Sequence, residues 1–168
     1  MGDNMKPVAL LLLMLNFCMY TIIAIIGGWS VNFAIDHGFI IGPGLRLPAH
    51  FHPIFFPIGN FATGFFVLFA LLAAVVGAAS CVVGFMHLRF WNYHSMQPAA
   101  SLGLVAWALT VLAMGLACQE ISFDRRNAKL GTMEAFTIVL SVTQLVYVLA
   151  IHGGSHEPVP VERHNALR

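Results

Sequence analysis

The chain has 168 residues and a formal net charge of +1, with 59% hydrophobic and only 9% charged residues. Its mean hydropathy is +0.83. Soluble domains carry about 25% charged residues, so the composition excludes an ordinary soluble fold and points to a membrane protein. The small net charge also excludes nucleic acid as a partner.

Four apolar stretches, about 8–34, 57–85, 99–120 and 130–151, each reach the length a helix needs to cross the bilayer core, about 20 residues. The expected fold is all-α: a single transmembrane domain over 1–168, a four-helix bundle with an apolar Gly/Pro-rich first loop and a polar tail at 152–168. The first stretch is too long for a secretory signal core of roughly 7–15 residues, and Asn32-Phe33-Ala34-Ile35 offers no small-x-small cleavage site. It reads as a retained helix, with Asn16 and Tyr20 on one side and Trp29 as an interfacial anchor. Lys6 stands where a myristoylation pattern needs Ser or Thr.

The first loop, DHGFIIGPGLRLPAHFHP, is punctuated by Gly and Pro yet carries Phe39, Ile40, Ile41, Leu45, Leu47 and Phe51. Such a segment is expected at the membrane interface or folded over the helix ends. Pro53 and Pro57 bias the residues before them away from helix, so the second helix is expected to start near Pro57. Along it, Ala70, Ala73, Ala74, Gly77, Cys81 and Gly84 share one face, which lets a neighbouring backbone approach closely. Phe61, Phe65, Phe69, Leu72, Val76 and Val83 share roughly the opposite face.

The third stretch places Trp107, Thr110, Met114 and Cys118 on one face and ends in Gln119-Glu120. The fourth places Glu134, Thr137, Ser141, Gln144 and His152 within roughly an 80° arc. Polar groups along so much of a membrane helix must face other helices or a wet cavity. Interhelical hydrogen bonding is the plainer explanation, and Glu134 can also be read as lying at the headgroups. Glu120 and Glu134 flank the loop carrying Arg125, Arg126 and Lys129. Two readings stay open there: ion pairs stabilising a tight turn, or proton coupling, to which His152 is a further candidate. Cys18, Cys81 and Cys118 all fall within spans and read as packing residues.

Lys6, Arg89, Arg163 and Arg168 lie on the side of both termini, and Arg46, Arg125, Arg126 and Lys129 on the other. The even balance leaves orientation open, with a cytoplasmic placement of the termini as the general prior. No HExxH, GxSxG or phosphate-loop pattern occurs, so no enzyme and no cofactor are expected. His50-x-His52 is an incomplete ligand set, so no metal site is assigned.

The stretches PIGNFATGFFVLFALLAAVVGAAS, WALTVLAMGLACQEI and TQLVYVLAIHGG occur in that order, after LLLMLNF. Together they resemble the plant AWPM-19-like family of small tetraspan plasma-membrane proteins, and the likeness covers most of the chain. The resemblance implies a plasma-membrane location, a link to abscisic acid, cold and drying, and, from a family member that promotes its uptake, abscisic acid as a substrate. It transfers no binding residues. Abscisic acid is a compact weak acid, and a site for it needs an apolar cavity with a few hydrogen-bonding groups. The candidates in this chain are Asn60, Thr63, His50, His52, Tyr20, Trp107, Gln144 and Tyr147. His50 and His52 with Asn60 and Thr63 read as a mouth, or equally as headgroup-level histidines and a helix-start amide. The expected function is uptake of abscisic acid or a similar small weak acid. The alternative is a non-transporting tetraspan that organises the membrane during stress. Lipid is a partner on either reading, and homo-oligomerisation stays open.

Overall fold

A computed structural model of the protein describes residues 5–37, 61–90, 93–122 and 128–154. They form four helices: α1 (Met5–His37), α2 (Phe61–Phe90), α3 (Tyr93–Ile121) and α4 (Ala128–Gly154). All four are long and apolar enough to cross a membrane. At about 1.5 Å per residue, they run from about 40 Å for the 27 residues of α4 to about 50 Å for the 33 of α1. Each therefore reaches from the hydrocarbon into the headgroups.

The helices extend the sequence-based boundaries by up to six residues at most ends. α3 in particular begins at Tyr93 and takes in Pro98 as its sixth residue, which costs the helix one backbone hydrogen bond near its start. α2 is described from Phe61, so a start at Pro57, His50, His52 and Asn60 lie outside the described residues, as does the first loop except for Asp36 and His37, which end α1. Arg125, Arg126 and the tail beyond Gly154 do too.

Successive helices pack side by side and α1 packs against α4, which closes the bundle. The core forms where the small-residue face of α2 meets α1: Ala70, Ala73, Ala74 and Cys81 are buried together with Leu13, Tyr20 and Ile23. Gly77 allows the closest approach, because a Cβ there would overlap the Tyr20 ring. Gly84 does the same about two helical turns on, where a Cβ would lie 2.9 Å from Leu13 Cδ1 and overlap the Tyr147 hydroxyl. The outer surface carries Leu11, Ile25, Leu72, Val75, Val142 and Leu149, all exposed. An apolar belt of that kind is costly in water and suited to lipid. Cys18 and Cys118 are exposed, and only Cys81 is buried.

Candidate functional site

Polar side chains are the expensive residues inside such a bundle, and here they are gathered into a column along its interior. At the end where α3 stops and α4 starts, Thr63 Oγ1 of α2 donates a 2.5 Å hydrogen bond to Glu120 Oε1 of α3. Glu120 is only 3% exposed, and its Oε2 has no hydrogen-bond partner among the described residues. Glu134 is buried as well, as is Ser30 of α1. The first lies six residues into α4, about 9 Å along its axis, so its carboxyl belongs to the bundle interior rather than to the headgroups. Lys129 does not neutralise this end: its Nζ sits 3.3 Å over the Trp29 ring, a cation–π contact at the helix margin. Trp29 in turn stacks on Phe33 with centroids 5.3 Å apart, as an interfacial anchor does.

Further in, Tyr20 of α1 and Thr110 of α3 are linked diagonally across the bundle at 2.9 Å. Thr110 Oγ1 also donates to the Ala106 carbonyl at 2.7 Å. One hydroxyl has one proton, so Tyr20 must be the donor of the diagonal bond. Beside this pair, Trp107 Nε1 of α3 donates to the Ser141 carbonyl of α4 at 3.0 Å. The Ser141 hydroxyl donates back to the Ile138 carbonyl at 2.7 Å, and Thr137 does likewise to Met133 at 2.7 Å. Such back-bonding lets a hydroxyl sit in a dry interior without a second helix.

Towards the other end, Asn16 Nδ2 of α1 donates to Gln144 Oε1 of α4 at 2.9 Å. Gln144 Nε2 donates onward to the Gly103 carbonyl of α3 at 3.4 Å. Ser80, Tyr147 and His87 complete this part of the column, all buried. His152 is exposed, with its Nδ1 2.9 Å from the Val148 carbonyl.

The structure thus brings Tyr20, Thr63, Trp107, Gln144, Tyr147, Glu120 and Glu134 into one interior column, with Trp107 half-buried at its edge. It leaves His152 on the outside, although the helical wheel puts it on the α4 stripe. Cys118 departs similarly from the Trp107 face of α3. Sequence reasoning missed Asn16, Ser80, Thr110 and His87 as members of the column. A signal existed for all four: Asn16 shares the Tyr20 side of α1, Thr110 shares the Trp107 face of α3, and Ser80 and His87 fall at i+3 from Gly77 and Gly84 on α2. Among the described residues, no group of three or more His, Cys, Asp or Glu side chains is placed to hold a metal ion.

The AWPM-19-like family model matches residues 14–154, a stretch that contains every residue of the column. Membrane protein PM19L of rice, Oryza sativa subsp. japonica, is 44% identical to this chain over 144 residues, covering 85% of this chain and 76% of its own length. No solved structure matches the chain. With a family match over most of its length and a relative at that identity, this multi-pass membrane protein belongs to the AWPM-19-like family.

Proposed function

We propose that the protein facilitates uptake of abscisic acid, or a similar small amphipathic weak acid, across the plasma membrane, with both termini on the cytoplasmic side. The observation that carries this reading is the polar column itself. From Glu120 and Thr63 to Gln144 and Tyr147, hydrogen-bonding side chains follow one another through the depth of an otherwise apolar bundle. A purely structural tetraspan needs small-residue packing, which this chain has, but does not need polar groups from end to end. The stretches between the helix ends carry no Lys or Arg, so a bare carboxylate would cross without a counter-charge. The neutral acid needs none. Glu120, held by Thr63 and otherwise unmatched at Oε2, stands at one end of the column as the residue to exchange a proton with the passing acid. The direct test is uptake of labelled abscisic acid into liposomes carrying the purified protein. Saturable uptake above protein-free liposomes supports the reading, and equality with them refutes it.

A second reading has its own observation. Asn16–Gln144, Tyr20–Thr110 and Trp107–Ser141 are bonds between helices, which a rigid membrane organiser also uses. On that reading liposomes carrying the protein leak less entrapped dye through drying and rehydration than bare ones, and take up no acid.

A further inference from the structure

The polar column is shut at one level by a single side chain that reaches three helices. Tyr20 starts on α1, and the tip of its ring lies over Gly77 of α2, where Cζ and both Cε atoms occupy the place a Cβ would take. Its hydroxyl bonds Thr110 Oγ1 of α3 at 2.9 Å. The fourth helix closes the same layer. Asn16 bonds Gln144, and a Cβ on Gly27 would lie 3.7 Å from Met133 Cε. In that antiparallel register Tyr20 of α1 is level with Leu140 of α4, which is fully buried. Ala74 and Ala106, each within one turn of Gly77 and Thr110, are fully buried too.

The layer separates two sets of polar residues. Towards the end of α3 lie Glu134, Ser30, Thr63 and Glu120, the last ten residues beyond Thr110, or about 15 Å. Towards the termini lie Asn16, Gln144, Ser80 and Tyr147, with Gln144 four residues beyond Leu140, or about 6 Å. Between them the ring of Tyr20 occupies the middle of the bundle, and the only polar atoms Tyr20 and Thr110 bring to the layer are bonded to each other. A solute as bulky as abscisic acid cannot pass from one set to the other while the ring stays there.

The closure is fastened by one bond. Thr110 Oγ1 gives its own proton to the Ala106 carbonyl at 2.7 Å, so it stays matched when the ring leaves, and Tyr20 alone gives up a partner. Beneath the ring tip is a glycine with no side chain to interlock with it. Tyr147 of α4 reaches Gly84 of α2 in a similar way, but its hydroxyl has no hydrogen-bond partner among the described residues, so nothing fastens it.

We propose that Tyr20 is the gate of the column and Thr110 its latch, with release of their hydrogen bond limiting the passage of the weak acid. Gating by a group that must move before a solute proceeds limits the rate of many proteins. This rests on the facilitator reading and assigns the step that controls it. The test measures initial rates of saturable uptake of labelled abscisic acid at pH 5, in liposomes carrying full-length protein, per folded molecule. Tyr20→Phe keeps the ring and removes the latch, so its rate is expected to rise about fivefold, the equivalent of one ordinary hydrogen bond. Thr110→Val is expected to raise it at least as much, because it strands the Tyr20 hydroxyl in the closed state. The double variant should match Tyr20→Phe, since the two changes remove the same bond. Thr143→Val, a matched change at an exposed threonine bonded to its own helix, should behave as the parent does. If one of the two variants does not fold, the other decides alone. Rates equal to the parent's in the folded variants overturn the gate and leave the facilitator reading standing. Slower uptake in either overturns it as well, because the hydroxyls then serve the passing acid rather than hold it back. Rises that multiply in the double variant overturn the latch, since the two hydroxyls then act separately. A parent protein with no uptake above protein-free liposomes overturns both the gate and the reading it rests on.

Discussion

Replacing Gly77 with alanine is the sharpest perturbation of the packing. The new Cβ would overlap three atoms of the Tyr20 ring at once, where carbon atoms ordinarily rest about 3.5–4.0 Å apart. The ring cannot simply swing aside, since Tyr20 is 1% exposed and its hydroxyl is held by Thr110 at 2.9 Å. Either α1 and α2 separate or the ring moves and the diagonal hydrogen bond is lost. Overpacking of this kind costs about 1–3 kcal/mol, and the lost bond adds about 1 kcal/mol. The better helix propensity of alanine returns at most about 1 kcal/mol. The net expectation is a loss of about 1–3 kcal/mol. Gly115→Ala is the matched control, because a Cβ there meets nothing within 4 Å, and it should leave stability unchanged or slightly raised. Unfolding of both variants by titrating a denaturing detergent into mild detergent, followed by circular dichroism, measures the difference. A Gly77→Ala protein as stable as Gly115→Ala would show that α1 and α2 do not meet through the Tyr20 ring.

Three further outcomes follow from the same contacts. Asn16→Leu removes the 2.9 Å bond to Gln144 and leaves a buried amide unmatched, so detergent stability should drop by about 1–3 kcal/mol; no loss would mean the pair does not join α1 to α4. Thr63→Val takes away the hydroxyl that donates to Glu120 and should destabilise by a similar amount, about 1–3 kcal/mol, with Thr63→Ser restoring the parent value. If all four helices cross the membrane, both termini lie on one side. Cysteines substituted for Gly2 and Asn165 should therefore react with an impermeant reagent from the same face of the membrane, and labelling from opposite faces would remove one crossing.

The architecture was legible in the sequence because its signals are local and strong. Apolar stretches long enough to cross a bilayer can hardly do anything else, and the face carrying Ala70, Ala73, Ala74, Gly77, Cys81 and Gly84 is buried as helical spacing requires. The stripe from Glu134 to Gln144 is interior for the same reason. The pairings were not legible. Nothing along the chain says that Asn16 meets Gln144, 128 positions away, or that Tyr20 meets Thr110 across the diagonal. Which helices become neighbours and at what height depends on tilt and packing, not on periodicity. His152 illustrates the limit in the other direction. It lies on the α4 stripe by angle, but at that level Ile151 takes the buried position, and the imidazole turns to its own helix at the Val148 carbonyl. Ser80 escaped notice because a small hydroxyl among alanines reads as packing. Its burial without a partner is visible only once four helices are assembled around it.

The central claim is that the column passes an uncharged weak acid, and its most direct test is the pH dependence of protein-mediated uptake. For a carboxyl group with an ordinary value near 4.3, lowering the external pH from 7 to 5 raises the neutral fraction roughly eightyfold. Initial rates of labelled abscisic acid uptake are measured in liposomes with and without the protein, and the protein-free rate is subtracted at each pH. The account predicts a protein-dependent component that climbs steeply from pH 7 to pH 5. A component that stays flat over that range would contradict it, because the permeating species would then be the anion.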